Sequence, residues 1–167
     1  NALHGAGPEA AGRVEAETGA RLFCDTFAPH TELGAGRVPV ERIPYFAEQI
    51  VAYLEGIEQI ILVGAKPPVS FFAYPGKPSW CAPEGCQFSH LAHPHEDGAG
   101  ALAALADALG APAQSPVRVP LQLPGMPNGP LNALSAAQII AELTPENVIY
   151  AEEAATSGMP LLSMLGR

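Results

Sequence analysis

Basic residues are scarce in this 167-residue chain: 8 Lys and Arg stand against 17 Asp and Glu, a formal net charge of −9. The pI is about 4.9. A nucleic-acid partner is excluded on that ground, because a phosphate backbone demands clustered bases. No run of about 18 unbroken apolar residues occurs, so no membrane-spanning helix is expected. The first residues lack the basic start and apolar stretch of a signal peptide. Cysteine is also sparse. Cys24, Cys81 and Cys86 cannot all pair within the chain, and a domain of this size does not need bridges. These absences together describe a reduced, soluble, cytoplasmic protein.

What is present is enough for a core. Hydrophobic residues make up 48% and charged residues only 15%, so the chain as a whole is not disordered. Glu9 to Thr18 reads as a helix stopped by Gly19, and Ala20 to Thr26 as a strand. Residues 27–44 form a long connection with Gly34, Gly36, Pro39 and Pro44. Tyr45 to Leu54 is an amphipathic helix with Phe46, Ile50, Val51 and Leu54 on one stripe, ended by Gly56. Gln59 to Gly64 is the clearest strand, and its continuous apolar run predicts burial on both faces, as in a parallel sheet. Gln87 to Leu91 is a further strand, and Asp97 to Leu109 an alanine-rich helix ended by Gly110. This order predicts an α/β fold with a doubly wound, mostly parallel sheet.

Composition then shifts. Pro112, Pro116, Pro120, Pro124, Pro127 and Pro130 forbid helix and predict an extended tether. A helix over Asn132–Leu143, a turn at Thr144–Asn147 and a strand over Val148–Glu152 follow. One helix and one strand cannot make a core, so they read as the opening of a second domain. The expected organisation is an α/β domain over 1–110, a Pro-rich linker over 111–131 and a truncated domain over 132–167. Both ends look cut.

Four groups of residues invite chemistry. Gly64-Ala65-Lys66-Pro67-Pro68 follows the clearest strand, where open parallel sheets bind ligands, but its two prolines remove amides a phosphate would want. An ordinary tight turn is the better reading there. Cys81, Cys86, His90, His93 and His95 are zinc-type ligands without the close Cys-x-x-Cys pairing of a structural site, so no metal site is expected. Cys24, in an apolar strand, is a poor nucleophile. The aromatic, proline-rich loop from Phe71 to Trp80 either shapes a binding or subunit surface or covers the end of the sheet. Finally, Thr156 and Ser157 offer two hydroxyls ahead of Gly158. Such a turn after a strand either cradles a diphosphate or caps a helix.

The order of these segments resembles the middle of a thiamine-diphosphate-dependent 2-oxoacid enzyme of the acetolactate synthase and benzoylformate decarboxylase group. The resemblance rests on Thr18-Gly19-Ala20-Arg21 leading to Asp25-Thr26-Phe27, then Leu62-Val63-Gly64-Ala65-Lys66-Pro67-Pro68-Val69, then Phe72-Ala73-Tyr74-Pro75-Gly76-Lys77. It closes with Leu143 through Gly158, and their order and spacing carry it. Family enzymes have pyrimidine-binding, central and pyrophosphate-binding domains. The resemblance implies a Rossmann-like central domain whose first strand is absent, its linker and the first elements of the third domain. It implies a parent lyase or transferase that decarboxylates or joins 2-oxoacids with thiamine diphosphate and Mg2+, as a homodimer or homotetramer.

By the same resemblance Thr156 and Ser157 align with the hydroxyl-bearing loop that touches the diphosphate, with Glu153 in the acidic slot before it. The family's catalytic glutamate and its Gly-Asp-Gly metal motif have no counterpart here, so the fragment is expected to hold no catalytic residue and to bind no cofactor. The Gly64–Val69 turn looks like the flavin-free type, and FAD is not expected. The competing expectation is a stand-alone α/β nucleotide- or small-ligand-binding module without catalysis, which leaves the last helix–strand pair with nothing to pack on.

Overall fold

The computed structural model describes residues 2–154 and 156–165. It divides into one compact unit formed by residues up to 31 and 38–117, and another formed by residues 32–37 and 118 onward.

In the first unit the order is α1 (Ala6–Thr18), β1 (Phe23–Cys24), β2 (Glu41–Arg42), α2 (Ala47–Tyr53), β3 (Gln59–Val63), β4 (Gln87–Ala92) and α3 (Gly98–Ala108). Strands pair in parallel as two two-stranded sheets, β1 with β2 and β3 with β4. Parallel neighbours need long connections, and residues 25–40 and 64–86 supply them. The unit is therefore α/β with small parallel sheets and helices. α1 ends where expected: Gly19 takes a left-handed φ of 71° and its N–H donates to the Glu15 carbonyl at 2.7 Å. α1 packs on α3, and Arg13 binds Asp107 of α3 at 2.7 Å and the Pro112 carbonyl at 2.6 Å.

Two apolar clusters form the core. Ile43, Ala47, Ile50, Leu54 and Cys81 make one; Ile60, Leu62 and Ala82 make the other, and Phe23 and Ile57 pack against both. Leu54 is 0% exposed and Ile50 2%. Burying each such side chain is worth about 1.5–3 kcal/mol.

Three local expectations need correction. α2 buries Ala47 and Ile50, which cluster with Ile43 before the helix and Leu54 just past its end, whereas Phe46 and Val51 face outward. Phe46 precedes the first helical turn, so its extended backbone carries the ring away from the helix face. β3 alternates rather than being covered on both sides: Ile60 and Leu62 are buried and Ile61 is 48% exposed. A sheet two strands wide has one apolar layer here, and alternate side chains point away from it. The strand expected from Ala20 to Thr26 is reduced to Phe23–Cys24, limited by its short partner β2.

The second unit contains α4 (Ala133–Leu143) and α5 (Met159–Leu162). Asn132 caps α4, its side chain accepting the Ser135 N–H at 2.9 Å while Ser135 Oγ accepts the Asn132 N–H at 2.8 Å. Residues 148–152 do not form a strand. No described segment of the unit offers them a ladder, and an unpaired segment gains nothing from strand geometry.

Residues 111–131 form neither helix nor strand, yet the proline-rich stretch is tied down. Within the first unit, the Ser115 N–H donates to the Glu9 carboxylate at 2.7 Å. Within the second, Val119 exchanges backbone hydrogen bonds with residues 36 and 37 at 2.8 Å, and the Gly125 N–H donates to Glu142 at 3.1 Å.

Candidate functional site

Thr156 and Ser157 lie side by side in an exposed turn leading into α5. The Ser157 N–H and its hydroxyl both donate to the Ala154 carbonyl at 3.1 Å, which closes the turn. The Glu152 carboxylate folds over it, accepting the Ala154 N–H and lying against Gly158. The turn thus points at least one backbone N–H at an anionic oxygen, while Glu153 is exposed beside it. Ala155 lies outside the described residues.

The other candidates resolve differently. After β3, Gly64 takes a φ of 65° and its N–H donates to the Ala92 carbonyl at 2.8 Å. That amide is spent on β4 and is not offered to a ligand. The cysteines and histidines do not converge. Cys81 sits in the α2 cluster and Cys86 packs against the Ile60 and Leu62 cluster. His90, His93 and His95 instead stack, ring centroids 4.7 and 5.9 Å apart, with near-parallel planes. Among the described residues no group of three or more His, Cys, Asp or Glu could hold a metal ion. Burial pushes the thiol pKa values of Cys24 and Cys81 up, so both stay protonated at neutral pH. Glu96 is drawn the other way, its carboxylate held charged first by the His93 N–H at 2.7 Å.

At the amino ends of β1 and β2, Arg21 lies 4.4 Å over the Tyr53 ring and binds Glu41 at 2.9 Å. Tyr53 donates its hydroxyl hydrogen to the same Glu41 carboxylate. Those bonds, Tyr53 first and Arg21 second, lower the Glu41 pKa. The Tyr53 hydroxyl is pushed up, chiefly by burial and then by Glu41. This network fastens β2 and α2 to β1.

At the carboxyl ends of the same strands, six aromatic rings form a chain. Phe27 meets Tyr45 at 5.9 Å and Phe71 at 4.6 Å; Phe71 meets Phe72 at 4.6 Å, and Phe72 meets Tyr74 at 5.8 Å. Tyr45 also contacts Phe46 at 5.1 Å. All six rings are exposed. Reading the 71–80 loop alone missed Phe27, Tyr45 and Phe46. The available signal was that Phe27 and Tyr45 follow short strands, next to Thr26 and Pro44, and that Phe46 precedes α2.

No helix among the described residues is long and apolar enough to cross a membrane. No protein-family model and no solved structure matches the chain. Over 161 residues, 96% of this chain, it is 45% identical to a Mycobacterium tuberculosis protein named "Putative acetolactate synthase large subunit IlvX". The chain spans 31% of that relative's length. The similarity covers both units and names the same kind of enzyme as the motif order from Thr18 to Gly158.

Proposed function

We propose that this chain is the central α/β domain (1–110), linker (111–131) and opening of the pyrophosphate-binding domain (132–167) of a longer thiamine-diphosphate- and Mg2+-dependent enzyme. That enzyme decarboxylates or joins 2-oxoacids in an acetolactate synthase-like reaction, as a homodimer or homotetramer, in the cytoplasm. Its central sheet is doubly wound and completed by strands outside this chain. The observation that carries the proposal is the 45% identity along 96% of the chain to a protein of that name three times as long in round terms.

Thiamine diphosphate, when bound, would supply the electron sink for the pair left on a 2-oxoacid's carbonyl carbon as carbon dioxide departs. In this chain Thr156 and Ser157 hold its diphosphate through their hydroxyls. The Ala154 N–H, which donates to a carboxylate in the turn, fits an anionic oxygen at the same place. The remaining residues position that turn and the neighbouring domains. The residues that move protons at the reacting carbon, and the ligands for Mg2+, lie outside the chain, so the fragment alone is inactive. No FAD is expected.

The test uses the intact polypeptide. Carbon dioxide release from pyruvate that depends on added thiamine diphosphate and Mg2+ is expected. Thr156→Ala together with Ser157→Ala should raise the half-saturating cofactor concentration at least about tenfold, as lost hydrogen bonds to a charged group do. Absence of cofactor-dependent turnover with any 2-oxoacid overturns the proposal. Titration calorimetry of the 167-residue chain with both ligands should give no heat, and tight binding would contradict its inactivity.

A further inference from the structure

We propose that Asn128-Gly129 is a self-modifying site, where the Gly129 amide closes on the Asn128 side chain and leaves an isoaspartyl linkage without help from an enzyme. It is the chain's one Asn-Gly pair. Both residues are exposed and belong to neither helix nor strand. Among the described residues neither has a hydrogen-bond partner. Gly129 takes a φ of 104°, and apart from its chain neighbours no atom lies within 4 Å of where its Cβ would stand. Such backbone favours glycine. Without a Cβ, nothing at residue 129 shields its amide nitrogen from the adjoining carboxamide.

The only co-reactant is water. The Gly129 nitrogen gives up its proton and attacks Asn128 Cγ. A new N–C bond closes a five-membered imide, the bond from Cγ to the side-chain nitrogen breaks, and ammonia leaves with the proton. Water then opens the imide, and nothing is oxidised or reduced. Cleavage at Cγ gives ordinary aspartate; cleavage at the main-chain carbonyl routes the backbone through the side chain and gives isoaspartate. Either product carries a carboxylate, charged at neutral pH, in a chain already at −9. The isoaspartyl product also adds a main-chain carbon just ahead of Pro130, whose carbonyl accepts the Ser135 hydroxyl at 3.3 Å beside the α4 cap.

The fold closes the comparable positions. Asp97-Gly98 can form the same imide with water as leaving group. There the Asp97 carboxylate accepts the Gly100 N–H at 2.9 Å, and the buried Gly98 donates its N–H to the Glu96 carbonyl at 3.0 Å. Asn132 accepts the Ser135 N–H at 2.9 Å, and α4 begins at the next residue. Asn147 precedes Val148, whose branched Cβ crowds the attacking nitrogen.

This goes beyond the cofactor chemistry proposed above and does not depend on it. The test is peptide mapping of the 167-residue chain aged in mildly alkaline buffer. No Lys or Arg lies between Val119 and Arg167, so one tryptic peptide holds Asn128, Asn132 and Asn147. Mass spectrometry with fragmentation that separates isoaspartate from aspartate reads the three side by side. Position 128 should convert at least about tenfold faster than 132 or 147, and as fast in the folded chain as in urea. Asp97 should yield isoaspartate only in urea. Gly129→Ala should slow conversion at 128 at least about tenfold, with an unchanged far-UV circular dichroism spectrum.

Conversion at 128 that is much slower in the folded chain than in urea overturns the proposal, because the fold then protects the site. So does conversion no faster than at 132 or 147, matched by Asp97 in the folded chain, or unaffected by Gly129→Ala. None of these readings involves 2-oxoacid turnover, so failure here leaves the proposed function standing.

Discussion

The helices α2 and α4 owe their existence to opposite causes. α2 is only seven residues long and has no side-chain cap, but it buries Ile50 and brings fully buried Leu54 just past its end into the first core. α4 has eleven residues and a reciprocal cap at Asn132 and Ser135, yet buries nothing larger than Ser135, Ala137 and Ala141. The same contrast separates the units. The first hides Ile60, Leu62, Ile50 and Leu54, while the second leaves Leu134, Leu143, Ile149 and Met159 between 52% and 86% exposed. A short helix can be made by tertiary burial and a longer one by local signals. Only the first kind reports a finished core. The second unit, on our proposal, waits for the sheet of a larger domain.

Substitutions sharpen this comparison in graded steps. Leu54→Ala should cost about 2–5 kcal/mol, since no solvent reaches the site and a cavity would remain. Urea unfolding followed through Trp80, the chain's one tryptophan, reads the first unit directly. An effect under 1 kcal/mol would mean the α2 core is not what holds that unit.

Gly12→Ala comes next. A Cβ there meets Ser115 Oγ at 2.7 Å and Val38 Cγ1 at 2.8 Å. Alanine gains about 1 kcal/mol of helix propensity, but overpacking costs about 1–3 kcal/mol, so the net should be a loss. A higher midpoint in the same urea experiment would show that α1 has room to move.

Asn132→Ala should cost about 1 kcal/mol and should be visible in the second unit, as faster amide exchange across α4. Equal exchange in the variant would mean that α4 is stabilised by burial after all.

The smallest effect is electrostatic. Glu41 has a lowered pKa, so its contribution is present above the usual carboxylate value and is lost as pH falls through the folded one. Its side chain is 57% exposed, which reduces the worth of the pair to a few tenths of a kcal/mol. Glu41→Gln should therefore lower stability slightly at pH 7, with the deficit closing below about pH 4. Glu15 has the opposite sign. Burial, then the Glu41 charge, raises its pKa, and its Oε2 has no hydrogen-bond partner. Glu15→Gln should stabilise the chain at neutral pH, and the gain should shrink on acidification. Melting curves of both variants across pH check the two signs.

These assignments also mark what sequence could and could not disclose. α1, α3, α4 and the paired strands β3 and β4 were legible because stop signals, caps and apolar runs lie within each segment. β2 was not. Glu41 and Arg42 have no apolar pattern, and their strand exists because the Glu41 N–H reaches the Leu22 carbonyl and the Ile43 N–H the Cys24 carbonyl, both at 3.0 Å. Val148–Glu152 failed for the converse reason: β-branched residues signal a strand, but a ladder needs a neighbour. At the candidate site, residue types left Thr156 and Ser157 open between a diphosphate cradle and a helix cap, and only the family resemblance assigned them to the former. The meeting of Phe27 and Tyr45 with Phe71 depends on turns that join distant parts of the chain.

The most direct test of the central claim is the intact mass of the polypeptide in its source, captured with an antibody raised against this chain. A polypeptide of which this chain is a third, as the relative's length implies, should weigh roughly three times 17.3 kDa. A mass near 17.3 kDa would contradict the account. It would remove the catalytic and metal-binding domains and leave an α/β binding module in their place.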